Sequence, residues 1–305
     1  MEVIKFKYNK VADFCYELFR ISEMPLHFSK FSNKIFSNYK HLFLLVYKQF
    51  RKFTYEELLT DLENNLSLRA YLGLNKLPHY TTLIKFAKRL PLNILDKLIL
   101  SFRKLVDRPK KVAIDATGIA LDNASPHYCK KIGLPTKKRP SLKTTFVVDI
   151  ERYLILLVKQ RKKPRHDVID AEPMIKKLFQ NYKDIEIFYG DRGYDSEELF
   201  KTCVDNNTYP MILQKNMLLA KHKKKGAHRK QFVDYFDYGE YLQRNKIETL
   251  NSMFKKRFSN NIKSRTNKIQ KVELLTRVIA YNIDRLLRTT KKVILIFIKI
   301  IRVSY

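Results

Sequence analysis

The chain has 305 residues, 45% of them hydrophobic, and 61 Lys+Arg against 30 Asp+Glu give it a formal charge of +31. That length holds two domains with real cores, and a charge that large repels itself unless it meets a polyanion, nucleic acid before an anionic membrane surface, with structural RNA left open. Three widely spaced cysteines (Cys15, Cys129, Cys203) without a CxxC pair, and only seven glycines, exclude a zinc site, a disulfide framework and a glycine-rich nucleotide loop, and point to a reducing cytosol.

The N-terminal MEVIKFKYNKVADF lacks the apolar core of a signal peptide. Residues 1 to 106 read as an all-helical N-terminal domain. FTYEELLTDLENN opens on a capping box, Thr54 with Glu57. LSLRAYLGLNKLP is a short helix ending near Gly73, and HYTTLIKFAKRLP resumes with Thr81 or Thr82 as N-cap and stops before Pro91. Lys85, Lys88 and Arg89 lie on this last helix, so the triplet fits either a helix-turn-helix DNA reader or a bundle with a solvated basic face.

The linker VDRPKK, 106 to 111, leads into a different pattern. KKVAIDATGIAL, KTTFVVDI and YLILLVKQ are β-branched runs without helical period, and DIERY makes a tight hairpin between the second and third. HDVIDAEPMIKKLFQNY is a helix with an acidic start, IEIFYGD a short strand, SEELFKTCVDNN a helix capped by Ser196, and TYPMILQ a further strand. Three antiparallel strands followed by two strands reached over helical crossovers predict a mixed five-stranded sheet with flanking helices, the ribonuclease H-like arrangement, over 107–290. VELLTRVIAYNIDRLL is amphipathic and is expected to pack on this catalytic domain. The tail 291–305 contains VILIFIKIIRV, interrupted by Lys299 and too short to span a bilayer, so no membrane partner is expected.

Two acids stand where strands put them in a site. Asp115 interrupts VAIDATG, with Ala116 and Gly118 leaving room beside it; a lone acid inside an apolar strand is costly unless it meets a cation or donors. Asp191 follows IEIFYG at a strand's carboxyl end, a usual place for sites, and Gly193 permits a sharp turn. The third element is YLQRNKIETLNSMFKKRF, 241 to 258. On an α-helix Tyr241, Arg244, Glu248 and Lys255 fall within an arc of about 60°, while Leu242, Ile247, Leu250, Met253, Phe254 and Phe258 gather opposite. Such a stripe is either a solvated face or a site. Packed beside the two strands, it presents Glu248 to Asp115 and Asp191. Three carboxylates suit Mg²⁺ or Mn²⁺, two ions in phosphodiester chemistry. Arg244 and Lys255 then clamp phosphate and Tyr241 binds a phosphate oxygen or stacks on a base.

The spacing Y-x2-R-x3-E-x6-K resembles the YREK signature of DDE transposases of bacterial and archaeal insertion sequences. IDATG resembles their first-aspartate motif and GDRGYDS their second, and the likeness covers most of residues 40 to 290. It implies a ribonuclease H-like fold, a divalent-metal DDE triad of Asp115, Asp191 and Glu248, and cut-and-paste transposition. The implied partners are double-stranded DNA, both transposon ends and target, and a second copy in a synaptic homodimer; the implied location is the prokaryotic cytoplasm, at the nucleoid. Larger members carry a β-rich insertion before the glutamate helix. Here 56 residues separate Asp191 from Glu248, and QKNMLLAKHKKKGAHRK reads as a basic DNA-contacting loop instead. His166, in PRHDVID, either caps or packs at its helix start or meets the scissile phosphate or a metal-bound water; Asp122, Asp149 and Asp195 read as turn or cap residues. A ribonuclease H-like nuclease that cuts without joining, and a non-catalytic basic nucleic-acid-binding protein, are the alternatives.

Overall fold

A computed structural model describes residues 2–31, 33–121, 130, 141–162, 165–215, 217, 221–223 and 225–289. It divides into two compact units, one made of residues up to Ser101 together with those from Ser264 onward, the other of Phe102–Lys263. Asp122, Cys129 and the tail 291–305 lie outside the described residues.

The helical unit contains α1 (Glu2–Ile21), α2 (Asn38–Arg51), α3 (Tyr55–Asn64), α4 (Leu66–Tyr71), α5 (Tyr80–Arg89), α6 (Leu92–Ser101) and a long α12 (Asn267–Thr289). The capping box holds: Thr54 Oγ1 accepts from Glu57 N–H at 3.1 Å and Glu57 answers Thr54 N–H at 2.7 Å. Gly73 closes α4 in the left-handed region, φ +58°, where a β-carbon is unfavourable. The N-cap of α5 is His79, whose Nδ1 accepts from Thr81 N–H, rather than Thr81 or Thr82. On α5 the apolar face of Leu83, Phe86 and Ala87 is buried and Lys85, Lys88 and Arg89 are exposed.

Helix α12 packs on α2, α5 and α6 and so lies in the helical unit. Its periodicity identified a buried face, including Val278, Ile279 and Ile283, all fully buried. Periodicity says nothing of which unit covers such a face. The division between the two compact units falls after Ser101.

The second unit is the mixed sheet. Strands β1 (Lys111–Leu121), β2 (Ser141–Asp149), β3 (Leu154–Arg161), β4 (Ile187–Gly190) and β5 (Tyr209–Ile212) lie in the order β3-β2-β1-β4-β5. β1, β2 and β3 pair antiparallel; β4 runs parallel to β1 and β5 parallel to β4. α7 (Asp167–Asn181) and α8 (Glu197–Val204) make the crossovers. Short helices α9 (Ala227–Gln231) and α10 (Tyr238–Tyr241) precede α11 (Asn245–Phe258). This is the ribonuclease H-like arrangement that the strand and helix order predicts. An unforeseen two-residue strand, β6 (Asn261–Ile262), adds to the far end of β1. Asp149 caps the β2–β3 turn as expected, accepting from Glu151 and Arg152 N–H at 2.9 and 3.1 Å.

Candidate active site

Asp115 sits mid-way along β1, opposite Phe146 of β2. Parallel pairing of β1 with β4 matches Lys111 to Ile187 and Ala113 to Tyr189. Continued two residues, that register brings Asp115 abreast of Asp191, on strands that lie about 4.8 Å apart. Asp191 leaves β4 as the N-cap of a 3₁₀ turn over Arg192–Tyr194, its Oδ1 accepting from Gly193 N–H at 2.7 Å. A β-carbon at Gly193 would come within 2.9 Å of that Oδ1 and 3.6 Å of Asp167 Oδ2, so the turn needs glycine to keep the carboxylate in place.

Helix α11 is docked on β1 by its apolar face. Ile247, Leu250, Phe254 and Phe258 are buried, and the Phe254 ring meets Phe146 edge-on at 5.4 Å, centroid to centroid. One turn nearer the N-terminus, buried Asn251 donates from Nδ2 to Asp115 Oδ2 at 2.8 Å. One turn further back stands Glu248. The stretch from Tyr241 to Phe258 is not one helix: Tyr241 ends α10, Leu242–Arg244 form a 3₁₀ turn, and α11 starts at Asn245. Residues three apart eclipse in a 3₁₀ turn, so Tyr241 and Arg244 remain on one side, with the guanidinium 5.8 Å from the phenol ring. Leu242 is turned outward and exposed, against the expectation that it joins the core.

Arg244 makes an ion pair with Glu248 at 2.8 Å, the arginine side chain 17% exposed and the glutamate 58%. Burial raises the Asp115 pKa to about 6; the negative charges of Asp191 and Glu248 push the same way, while the Ala116 backbone hydrogen bond and Arg244 oppose them. Buried Tyr194, from the GDRGYDS motif, carries a hydroxyl with no hydrogen-bonding partner among the described residues. Its pKa is raised by burial first, then by the charges of Asp167, Asp115 and Asp191. Acidic charge therefore concentrates around the Asp115–Asp191 edge of a very basic chain.

Could these residues hold a divalent ion? Their donors are all carboxylate oxygens, the set that Mg²⁺ and Mn²⁺ prefer, and burial first, then the charges of Asp191 and Glu248, disfavour the ionised form of Asp115, a cost that a bound cation would offset. The chemistry fits. As the side chains stand, no three acid, histidine or cysteine residues among the described residues form a group able to hold an ion. Glu248 meets Arg244 on its own helix instead.

The remaining residues divide. Lys255 lies two turns beyond Glu248 on α11, half-buried. Lys85, Lys88 and Arg89 belong to the helical unit. His166 occupies the N-cap position of α7 without a side-chain capping bond and is exposed, so it neither caps nor packs. Asp195 is more than a turn residue: fully buried, it pairs with Arg229 at 2.6 Å and accepts from Lys215 N–H at 2.8 Å. Glu197 binds His228 Nδ1 at 2.9 Å and the backbone N–H of His228 and Arg229. These two acids pin part of the basic segment before α11, which has no strand among its described residues.

Sequence reasoning missed two residues. Asn251 was hidden among the polar positions of an amphipathic helix; its signal is the spacing of three from Glu248 toward the buried side. Asp167, which pairs with Lys143 at 2.6 Å, brings another carboxylate to the Gly193 turn. Its signal was the His-Asp pair opening a helix after a basic strand.

No curated protein matches this chain. A solved structure, the cryo-EM piggyBac transposase synaptic complex with hairpin DNA, is similar at 12% identity and a TM-score of 0.48, over 93% of this chain and 74% of that one. The family model described as the transposase DDE domain matches residues 107–283, more than half of the chain. The protein belongs to the transposase DDE domain family.

Proposed function

We propose that the protein is the transposase of a bacterial or archaeal insertion sequence, of the YREK type. It binds the terminal inverted repeats, cuts the DNA there and joins the freed strand ends to a target. The family is one of enzymes that cleave and transfer DNA and are generally divalent-metal dependent. The observation that carries the finer reading is the β1–β4 register, which sets Asp115 abreast of Asp191, with α11 bonded to Asp115 through Asn251.

Asp115, Asp191 and Glu248 would hold two Mg²⁺ or Mn²⁺ ions. Such ions, when bound, supply Lewis-acid activation of a water or hydroxyl and neutralise charge on the leaving oxygen. The chain's own residues do the rest. With Glu248 among the carboxylates that would hold the ions, Arg244 would be left to grip a phosphate with two parallel donors. Tyr241, beside the guanidinium, limits where that phosphate sits. Lys255 adds a point charge further along the strand. The exposed Lys85, Lys88 and Arg89 of α5 contact transposon-end DNA. Two copies act together on paired ends.

The test is single-turnover cleavage and strand joining on a labelled duplex built from the DNA flanking the reading frame, in Mg²⁺. Glu248→Ala should abolish both steps while duplex binding persists. Full cleavage by Glu248→Ala would refute the triad; cleavage by the native chain without any joining would assign it as a nuclease.

A further inference from the structure

One edge of β1 is paired only in part. β4 runs beside Lys111–Ala113 and β6 beside Ala120–Leu121, so residues 114–119 have no strand on that edge among the described residues. Two helices flank this stretch, on opposite faces of the sheet. Directly opposed residues of antiparallel strands share a face, and successive residues alternate. Asp115 is opposite Phe146, whose ring meets Phe254, so α11 covers that face. Lys143 is three residues from Phe146 in a regular part of β2 and is opposite Arg161 of β3, so both cations lie on the other face. There they meet α7: Lys143 Nζ lies 2.6 Å from Asp167 Oδ1, and Arg161 pairs with Asp170. α11 therefore carries Glu248 on one face, and α7 carries Asp167 on the other.

Asp167 comes to the turn that carries Asp191. The space a β-carbon at Gly193 would fill is bordered by Asp191 Oδ1 at 2.9 Å and by Asp167 Oδ2 at 3.6 Å. Lys143 approaches the other Asp167 oxygen, and the Asp167 side chain is 34% exposed, open to an ion from solution. A second observation points to the same place. Tyr194 is 1% exposed, and its hydroxyl has no hydrogen-bond partner among the described residues. After burial, the charge that acts on this hydroxyl most is that of Asp167, ahead of Asp115 and Asp191. Buried polar groups are almost always paired, and an orphan among acids marks a place for a water or an ion.

A salt bridge that only fastens the start of α7 uses one oxygen of Asp167. It leaves unexplained why the other oxygen borders the Asp191 turn and why the Tyr194 hydroxyl stands unpaired behind both. Two carboxylates at one glycine turn are a donor set for a hard divalent cation. We propose that Asp167 is a fourth ion-binding carboxylate of this protein, which together with Asp191 holds one Mg²⁺ or Mn²⁺ at the Gly193 turn, with Lys143 as the competing partner of Asp167. The inference rests on the reading of a divalent-metal site at Asp115 and Asp191. It adds that α7 and α11 supply one carboxylate each, from opposite faces of the sheet.

The experiment is a Mn²⁺ titration of the full chain followed by electron paramagnetic resonance, with a melting curve for each variant. Asp167→Asn should weaken the binding of at least one Mn²⁺ by about tenfold or more. Lys143→Met should have the opposite sign and tighten it by up to about fivefold, the strength of a partly exposed ion pair. That gain should vanish when Lys143→Met is made together with Asp167→Asn, because it acts through Asp167. A pair that only fastens α7 gives a different pattern: both substitutions lower the melting temperature and neither moves Mn²⁺ affinity. Unchanged Mn²⁺ affinity in Asp167→Asn, or a gain from Lys143→Met that persists without the Asp167 carboxylate, overturns the inference. Asp191→Asn separates it from the wider reading. Loss of Mn²⁺ in Asp191→Asn beside native affinity in Asp167→Asn keeps the metal site and removes Asp167 from it, whereas a native chain that binds no Mn²⁺ defeats both.

Discussion

Asp115→Asn should inactivate the protein and make it more stable, and the size of the gain follows from the site. The Asp115 pKa stands at about 6, against 3.8 when unperturbed, chiefly because β1 and α11 bury it. The folded chain therefore holds a proton there more tightly than the unfolded chain does. For an acid shifted upward, stability is lost as pH rises through the window from about 4 to about 6, and the penalty is complete above it. Two pK units correspond to just under 3 kcal/mol; partial hydration of the carboxylate reduces this to on the order of 2 kcal/mol. Asparagine keeps an oxygen to accept from Asn251 and removes the charge. In a metal-free buffer at pH 7.5, the variant should melt higher by roughly 4–8 °C, if the sheet unit unfolds as a domain of its own. The advantage should shrink below pH 6 and vanish near pH 4. Mg²⁺ should raise the native chain's melting temperature more than the variant's. Scanning calorimetry across pH 4–8, with chelator and then with Mg²⁺, measures all of this. An Asp115→Asn variant that melts at or below the native chain at pH 7.5 would refute the argument that buried, unrelieved charge defines this site.

Arg244→Lys keeps the charge and loses the planar pair of donors; thermal stability and bulk DNA affinity should be near normal, and single-turnover cleavage should fall on the order of 100-fold, as for a phosphate misplaced by about 1 Å. Asn251→Leu removes the donor to Asp115 and should lower Mn²⁺ affinity, read by electron paramagnetic resonance, by roughly 10- to 100-fold; unchanged affinity would make Asn251 a packing residue only. Asp195→Ala leaves the largely buried Arg229 guanidinium without its ion partner and should cost about 3 kcal/mol in denaturant unfolding, whereas a cost within about 0.5 kcal/mol would mean that the segment before α11 is not anchored there. Replacing Lys85, Lys88 and Arg89 together by Gln should flatten the slope of log affinity against log salt by up to about 2.7, if each meets a phosphate; an unchanged slope would remove α5 from the DNA contacts.

The sequence alone determined what depends on local pattern. Alternating β-branched runs, the Thr54–Glu57 capping box and the positive-φ Gly73 are set by neighbours within a few residues, and all appear in the structure as read. The strand and helix order also limited the sheet to one plan, because parallel strands need crossovers and hairpins need short turns. Asp115 stood out since an acid inside an apolar strand demands an explanation. Other features depended on which surfaces meet. The destination of α12 was not legible, since an apolar stripe fits any matching groove. The break at Leu242–Arg244 was invisible to a helical wheel, because positions three apart, such as Tyr241 and Arg244, share a face in both helix types. Asn251 became part of the site only when Phe254 packed on Phe146 and set the depth of α11 against β1. Glu248 illustrates the same limit. Its position on the helix followed from spacing, but whether its carboxylate turns toward the like-charged Asp115 side, where a cation would be needed to hold it, or toward Arg244 one turn away depends on what else is in the site. In the structure the nearer partner holds it, because an i,i+4 arginine reaches it without any change in backbone.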